Sequence, residues 1–416
     1  MTGLAFAGVV LAMRVFHLDH LLPGDTSPIA DAAVVMDAEG TVVEAGPAAE
    51  VLPRHVGLAV ERVHGVGFPG LVNAHAHVEL SSLRGRVPGG RGFVPWVDTL
   101  IPTRQECSPE EDAEAIEAAC DELRGHATVA IGDVTNTLAS VLPLTRRGIG
   151  GAVFHEVFGF DRAAVFRRIE ALRAELEERV ATWPTTHFTY APAPHTLYTT
   201  HPDAVRALLE SAKRHGAKTS LHFAEHPAER RAIENGDGPV PSWFMERTKT
   251  TPTFPKMPLL DYAESLGAIA PDVLLVHLTD AREAELRRIA EKGARVVLCP
   301  RSNLHIEGKL PPLLAVLAAG LAPALGTDSL ASNASLDVLA EARALADRFP
   351  SVPSLTLVAM VTANGADVLG RADLGRVAKG KRPGLFAIEG ATDDPARFVV
   401  ANVKAKRRAL MGMSLL

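Results

Sequence analysis

His75 and His77 stand two residues apart where the apolar run of PGLVNAHAHV ends. Side chains alternate along a β-strand, so residues at this spacing share one face. Two neutral imidazoles on one face suit a borderline-soft divalent cation, although neighbouring carboxylates could satisfy such a pair equally well. LHFAEH adds His222 at the end of another apolar run, with Glu225 three residues on. A ligand followed closely by a carboxylate gives an activated water a nearby proton acceptor, which hydrolysis requires. LGTDS places Asp328 after the small residues Gly326 and Thr327, and a carboxylate ending an apolar strand is costly unless a cation meets it. His277 in LLVHLTD is read as a hydrogen-bond partner of the reactive water or developing oxyanion, with a fifth ligand and a buried structural histidine as the other readings.

Such residues need a frame that brings distant strand ends together. Apolar runs alternate with helical stretches in LVNAHAHV, ATVAIGDVTN, GAVFHEVFG, HFTYAPAPH, KTSLHFAEH, VLLVHLTD, RVVLCPRSN and LAPALGTDS. Between them lie PEEDAEAIEAACDELRGH, FRRIEALRAELEERVA, HPDAVRALLESAKRHG and AREAELRRIAEKGA, with apolar residues at three- and four-residue steps. Eight βα units in close to the roughly 250 residues of a TIM barrel predict an α/β fold, a (β/α)8 barrel. An open doubly wound sheet is the competitor. The barrel is preferred because most of these runs end in polar clusters, as a barrel rim demands. Short β-type runs at both chain ends predict a β-sandwich assembled from the two termini. The expected boundaries are 1–66, 67–372 and 373–416. NGDGPVPSWFMERTKTTPTFPKM reads as a long irregular loop, a lid or binding loop.

Composition narrows the partners. The 416 residues are 47% hydrophobic and carry a formal charge of −6, against a nucleic-acid polymer as partner but not against a small nucleoside. The three cysteines, Cys107, Cys120 and Cys299, form no CxxC pair, which suits a reduced cytoplasmic setting. The opening MTGLAFAGVVLAMRVF is broken by Arg14 short of a membrane span and is read as β structure. No membrane partner is expected, and a homodimer is left open.

In this order, PGLVNAHAH, HFAEH, VHL, CPRSN and LGTDS closely resemble the amidohydrolase superfamily, in its branch of nucleoside and nucleobase deaminases and triazine chlorohydrolases. The likeness spans nearly the whole chain, including GRVAKGKRPGLFAI, which resembles the family's return strand. It implies metal ligation by His75, His77, His222 and Asp328, with Glu225 as proton shuttle and His277 beside the water. Strand four lacks the lysine that bridges two metals in the binuclear branch, so the resemblance implies one divalent ion, zinc before iron.

HVELSSLRGRVPGGRGFVPWVDTLI carries Arg84, Arg86, Arg91 and Trp96 directly after the first ligands. Guanidinium groups beside an aromatic suggest a pocket for a heterocycle bearing a carboxylate. HxHxELS followed by FxPW resembles the aminodeoxyfutalosine deaminases of a menaquinone pathway, and implies that Arg84 meets a carboxylated 5′ extension. His195 in APHTLYT resembles the family's substrate-contacting histidine. Arg301, Ser302 and Asn303 sit within reach of a ribose or ring edge, with a turn-fixing role for Asn303 as the alternative. Glu79 is read as support behind the ligands, Glu156 as structural, and His201, His215 and His305 as solvent-facing. The function expected is hydrolytic deamination of an adenine-type nucleoside. The alternatives are deamination of S-adenosylhomocysteine, methylthioadenosine or a nucleobase, triazine-type dechlorination, and an inactive barrel that only binds.

Overall fold

The computed structural model describes residues 13–180, 187–249 and 252–412. Residues 1–12 of the opening run read as β structure, 181 of the second helical stretch, 250–251 of the long segment and 413–416 of the closing run lie outside them.

The chain begins with β1 (Arg14–Leu21), β2 (Ile29–Met36), β3 (Val42–Pro47) and β4 (Val60–Pro69). Alternation sends Phe16, Leu18, Val34 and Met36 to one apolar cluster, and Val15, Ala33 and Val35 to another against Ala48 and Val51. β4 passes through the expected boundary at residue 66 and leads, after Gly70, into the second unit.

That unit is built on β5 (Leu71–Ala76), β6 (Thr128–Thr135), β7 (Gly150–Val157), β8 (Phe188–Pro194), β9 (Thr219–Phe223), β10 (Val273–His277), β11 (Arg295–Leu298) and β12 (Ala324–Leu325). They form two parallel runs of four, β5-β6-β7-β8 and β9-β10-β11-β12. Two seams close the ring: Asp328 N donates to His75 O, and His222 N donates to His195 O, each at 3.0 Å. Both seams involve residues singled out for chemistry. A Cβ on Gly326 would lie 2.7 Å from both Cβ and O of His75, so only glycine lets β12 press against β5 there. The eight expected strands are thus present as a (β/α)8 barrel. The chain then returns through β13 (Leu385–Glu389) and β14 (Arg408–Met411), giving one six-stranded sheet ordered β14-β13-β4-β1-β2-β3. The sandwich expected from the two termini takes this single-sheet form.

Five helices matter below: α1 (Phe93–Gln105), α2 (Pro109–Gly125), α3 (Pro227–Asn235), α4 (Pro239–Thr248) and α5 (Val338–Arg348). Ser108 and Glu111 close a reciprocal capping box that starts α2. α4 corrects the sequence reading, since the first half of the segment taken as irregular is helical. Its prolines fall in the first turn, where a missing N–H costs nothing. Among the described residues no helix is long and apolar enough to cross a membrane.

Candidate metal and catalytic site

His75 ends β5 fully buried, and His77 follows on the same side. His222 comes from β9 and Asp328 from the loop after β12. His77 Nε2 lies 3.3 Å from His222 Nε2. Asp328 Oδ1 lies 3.5 Å from His77 Nε2 and 3.7 Å from His75 Nε2. The edge of a tetrahedron with bonds of about 2.0–2.1 Å is roughly 3.3–3.4 Å, so the His77–His222 and His77–Asp328 spacings suit neighbouring ligands of one small dication, and one ring nitrogen each of His75, His77 and His222 all lie within 4.8 Å of one another. Hydrogen bonds prepare the atoms. His222 Nδ1 donates to His195 O at 3.0 Å, leaving the Nε2 lone pair free. Asp328 Oδ2 accepts from Ser302 Oγ and Ser332 Oγ, leaving Oδ1 toward the histidines. Both ring nitrogens of His75 are buried without a hydrogen-bond partner, and a cation bound at Nε2 would satisfy that nitrogen. Burial alone would raise the Asp328 carboxyl, yet His75, His77 and His277 hold it well below the ordinary range. Burial pushes the His222 imidazole far down, so it stays neutral as a ligand must.

Glu225 Oε1 lies 3.6 Å from His277 Nε2. Burial, then Asp328, Glu229 and Glu307, push the Glu225 carboxyl well above its ordinary value. Glu229 Oε2, in the first turn of α3, accepts the Glu225 backbone N–H at 2.9 Å and fixes the loop carrying it. Asn303 Nδ2 donates to His277 Nδ1 at 3.2 Å, so the ring proton sits on Nε2, facing Glu225. Ala224, His277, Leu278 and Asp328 all have left-handed backbone, with φ of 49°, 82°, 54° and 58°. That conformation costs a non-glycine residue on the order of 1–2 kcal/mol, and here it clusters where the strand ends must turn side chains inward.

These groups lie in one wall of a cavity of about 580 Å³. Phe93, Val97 and Leu100 of α1, Trp243 and Phe244 of α4, and Phe158 make its other walls largely apolar. Trp96 and His195 line it, and His195 Nδ1 is held by Thr199 Oγ1 at 2.7 Å. Ser302 and Asn303 do not line it: they stand behind Asp328 and His277 and touch those side chains instead of a substrate. Arg84 does not line it either. The 3₁₀ turn Val78–Leu83 carries it outward, where its guanidinium pairs with Glu122 and donates to Ala334 O at 2.8 Å. Arg86 turns to Cys107 and Glu106. The arginine that does line the cavity is Arg104, from the last turn of α1, paired with Glu79 at 3.1 Å. Glu79 is a knot, its Oε2 accepting from Thr135, Asn136 and Thr137.

Glu156, read as structural, lines the cavity with Oε1 3.9 Å from both His195 Nε2 and His222 Nδ1. Arg301 pairs with Glu341 away from the cavity. Of the three histidines expected in solvent, only His215 is exposed, while His201 caps a helix and His305 Nε2 bonds Val87 O. Arg104, Tyr198, Trp243 and Phe244 escaped the sequence reading. For Tyr198 the signal was its place three residues after His195 in APHTLYT.

The amidohydrolase family pattern matches residues 66–413. The chain belongs to the amidohydrolase family. It is a hydrolase acting on carbon–nitrogen bonds. It is 28% identical over 368 residues to the aminodeoxyfutalosine deaminase of Deinococcus radiodurans, covering 86% of each chain. It is 30% identical over 334 residues to the 5-methylthioadenosine/S-adenosylhomocysteine deaminase of Halobacterium salinarum, covering 77% of this chain and 72% of that one. Its fold is similar to that of Helicobacter pylori aminofutalosine deaminase in complex with methylthio-coformycin, with a TM-score of 0.85, 22% identity and coverage of 96% and 99%.

Proposed function

We propose that the enzyme deaminates an adenine nucleoside carrying a carboxylated 5′ extension, using one divalent cation held by His75, His77, His222 and Asp328. The observation that carries this is the gathering of His75, His77, His222 and Asp328 at one end of the barrel beside the Glu225–His277 pair, inside an apolar cleft. Nitrogen and carboxylate donors favour zinc, with iron as the alternative. When bound, the cation supplies Lewis-acid activation of water near neutral pH.

The chain's own groups do the rest. Glu225 takes a proton from the attacking water and passes it to the heterocycle nitrogen beside the reacting carbon. It then moves the second proton to the departing amine, which leaves as ammonia. A carboxyl raised by burial is suited to carry protons both ways. His277 offers Nε2–H to the oxygen that is adding and stays neutral, because burial drives its pKa down to about 3. Phe93, Trp96, Trp243 and Phe244 exclude bulk water and bury the heterocycle and its extension.

Arg104, not Arg84, is the group proposed to meet the distal carboxylate, because it lines the cavity and its side chain retains 37% exposure beyond Glu79. The likeness to a methylthioadenosine/S-adenosylhomocysteine deaminase supports a second reading, a thioether extension against the same apolar walls. Ammonia release from adenosine, methylthioadenosine, S-adenosylhomocysteine and a 5′-carboxyaryl adenosine decides between them. The carboxyaryl substrate is expected to have the highest kcat/KM. Arg104→Met should cut that value roughly tenfold or more and leave adenosine nearly unchanged. Arg84→Met should change neither. Equal kcat/KM for all four would remove the extension from the proposal, and no ammonia from any would remove deamination.

A further inference from the structure

Behind the catalytic glutamate runs a chain of hydrogen bonds whose direction is fixed at one end. The backbone N–H of Glu229 donates to His226 Nδ1 at 3.0 Å, His226 being the cap residue of α3. A backbone amide can only donate, so Nδ1 must carry a lone pair, and the proton of the neutral ring sits on Nε2. His226 Nε2 lies 3.0 Å from the hydroxyl of Tyr198. That contact therefore runs from His226 to Tyr198, and the tyrosine oxygen is the acceptor. Phe93 stacks on the His226 ring at 4.2 Å between centroids and 13° between planes, which holds the imidazole in this orientation. The Tyr198 hydroxyl still has its own proton to place. Tyr198 is 2% exposed and lines the cavity; its hydroxyl also meets the Thr196 side chain, but the Thr196 oxygen already accepts the backbone N–H groups of Tyr198 and Thr199 and has no lone pair left for that proton.

A buried hydroxyl with an unplaced proton is costly, and the cavity is the open side. We infer that Tyr198 is a substrate-binding residue whose hydroxyl, polarised by His226, donates a hydrogen bond to a neutral lone-pair acceptor of the bound substrate. On an adenine nucleoside that acceptor is a ring nitrogen other than the one Glu225 protonates, or the sugar ring oxygen. His226 is a positioning residue: it never meets the substrate but dictates which way Tyr198 donates. The inference rests on the nucleoside-deaminase reading for its choice of probes. It does not depend on which cation is bound.

The test pairs substrate atoms with protein atoms. Adenosine, 3-deazaadenosine, 7-deazaadenosine and the carbocyclic analogue of adenosine are each assayed for kcat and KM with the unaltered holoenzyme and with Tyr198→Phe. One analogue, the one lacking the contacted acceptor, is expected to lose roughly 10- to 100-fold in kcat/KM with the unaltered enzyme, the usual worth of a buried hydrogen bond left unmade. Tyr198→Phe should lose a similar factor on adenosine and nothing further on that analogue. Because Tyr198→Phe leaves His226 Nε2–H without its acceptor, a thermal melt accompanies it, and His226→Asn provides a second variant. Asparagine keeps an acceptor for the Glu229 amide, while its shorter side chain puts no N–H where His226 Nε2 meets Tyr198. It should weaken the same discrimination, mainly through KM. Tyr198→Phe behaving as unaltered enzyme, or losing the same factor on all four substrates, overturns the inference while deamination stands. Full discrimination retained in His226→Asn overturns the fixed polarity. An unaltered enzyme that releases no ammonia from any of the four overturns both the deaminase reading and this inference.

Discussion

The amide of Asn303 donates to His277 Nδ1, and this sets which nitrogen of the imidazole faces Glu225. Asn303→Asp would replace the donor by an acceptor, move the ring proton to Nδ1 and present a lone pair where a donor is needed. The expected result is a fall in kcat of about 10²–10⁴, the usual range for a mispositioned acid–base group, with metal content unchanged. Unchanged turnover would mean that His277 does not act through Nε2–H. Glu225→Gln makes the complementary case: it should keep the cation, since Glu225 is not among the proposed ligands, and lose turnover by a similar factor. Loss of metal in this variant would make Glu225 a ligand instead of a shuttle. Both roles start from residues visible in the sequence, because strand periodicity and the high cost of a buried carboxylate constrain where such side chains can point. Arg84 had no such constraint. A loop arginine is as well satisfied by Glu122 on the surface as by a substrate, and nothing in its spacing distinguishes the two.

The helices around the barrel mouth carry their own electrostatic signature. Burial raises Glu229 in the first turn of α3 from 4.5 to about 8, despite the amide donors of Glu225 and Ala224. A carboxyl whose pKa is higher folded than unfolded favours the fold while it is protonated. That contribution is complete below about pH 4.5 and is lost as the pH climbs through 8. Glu229→Gln, which keeps an oxygen for the Glu225 amide, should match the unaltered protein in Tm at pH 5 and exceed it at pH 9. Parallel Tm–pH curves for the two would show that Glu229 is ionised in the fold throughout. The same helical rim shows why part of the site was hidden in the sequence. Gly238, Pro239 and Pro241 read as loop signals, yet glycine precedes α4 and its prolines fall in the first turn, so Trp243 and Phe244 reach the cavity from a helix. Arg104 was hidden because its distance along α1 from Trp96, eight residues, reaches the cavity only if the helix runs unbroken through Pro102.

At the scale of the whole molecule, the terminal sheet and the barrel share one chain path through β4 and β5, and they are clamped again at the C-terminal end. Arg407 precedes β14 and is 7% exposed. Its guanidinium grips both oxygens of Asp337 at 2.8 and 2.6 Å and donates to His126 O at 2.7 Å. Asp337 caps α5 by accepting from Leu339 N, so one buried carboxylate serves a barrel helix and the returning chain together. The sequence showed β-type runs at both ends and so predicted that they meet. It could not show this pair, because the partners are 70 residues apart with no periodic relation. Removing one member of a buried, bidentate pair strands the other charge, at a cost of about 3–5 kcal/mol. Arg407→Met is therefore expected to lower the unfolding free energy by about that amount and to do so in a single transition, because Asp337 belongs to the barrel as much as to the sheet. Asp337→Asn alongside Arg407→Met should recover part of the loss, since asparagine still caps α5 without leaving a bare charge. Urea denaturation followed by both tryptophan fluorescence and far-UV circular dichroism separates the cases. Coincident midpoints shifted together support a single cooperative unit, whereas an early transition seen by circular dichroism alone would mean that the terminal sheet unfolds from an intact barrel and that Arg407 serves the sheet only.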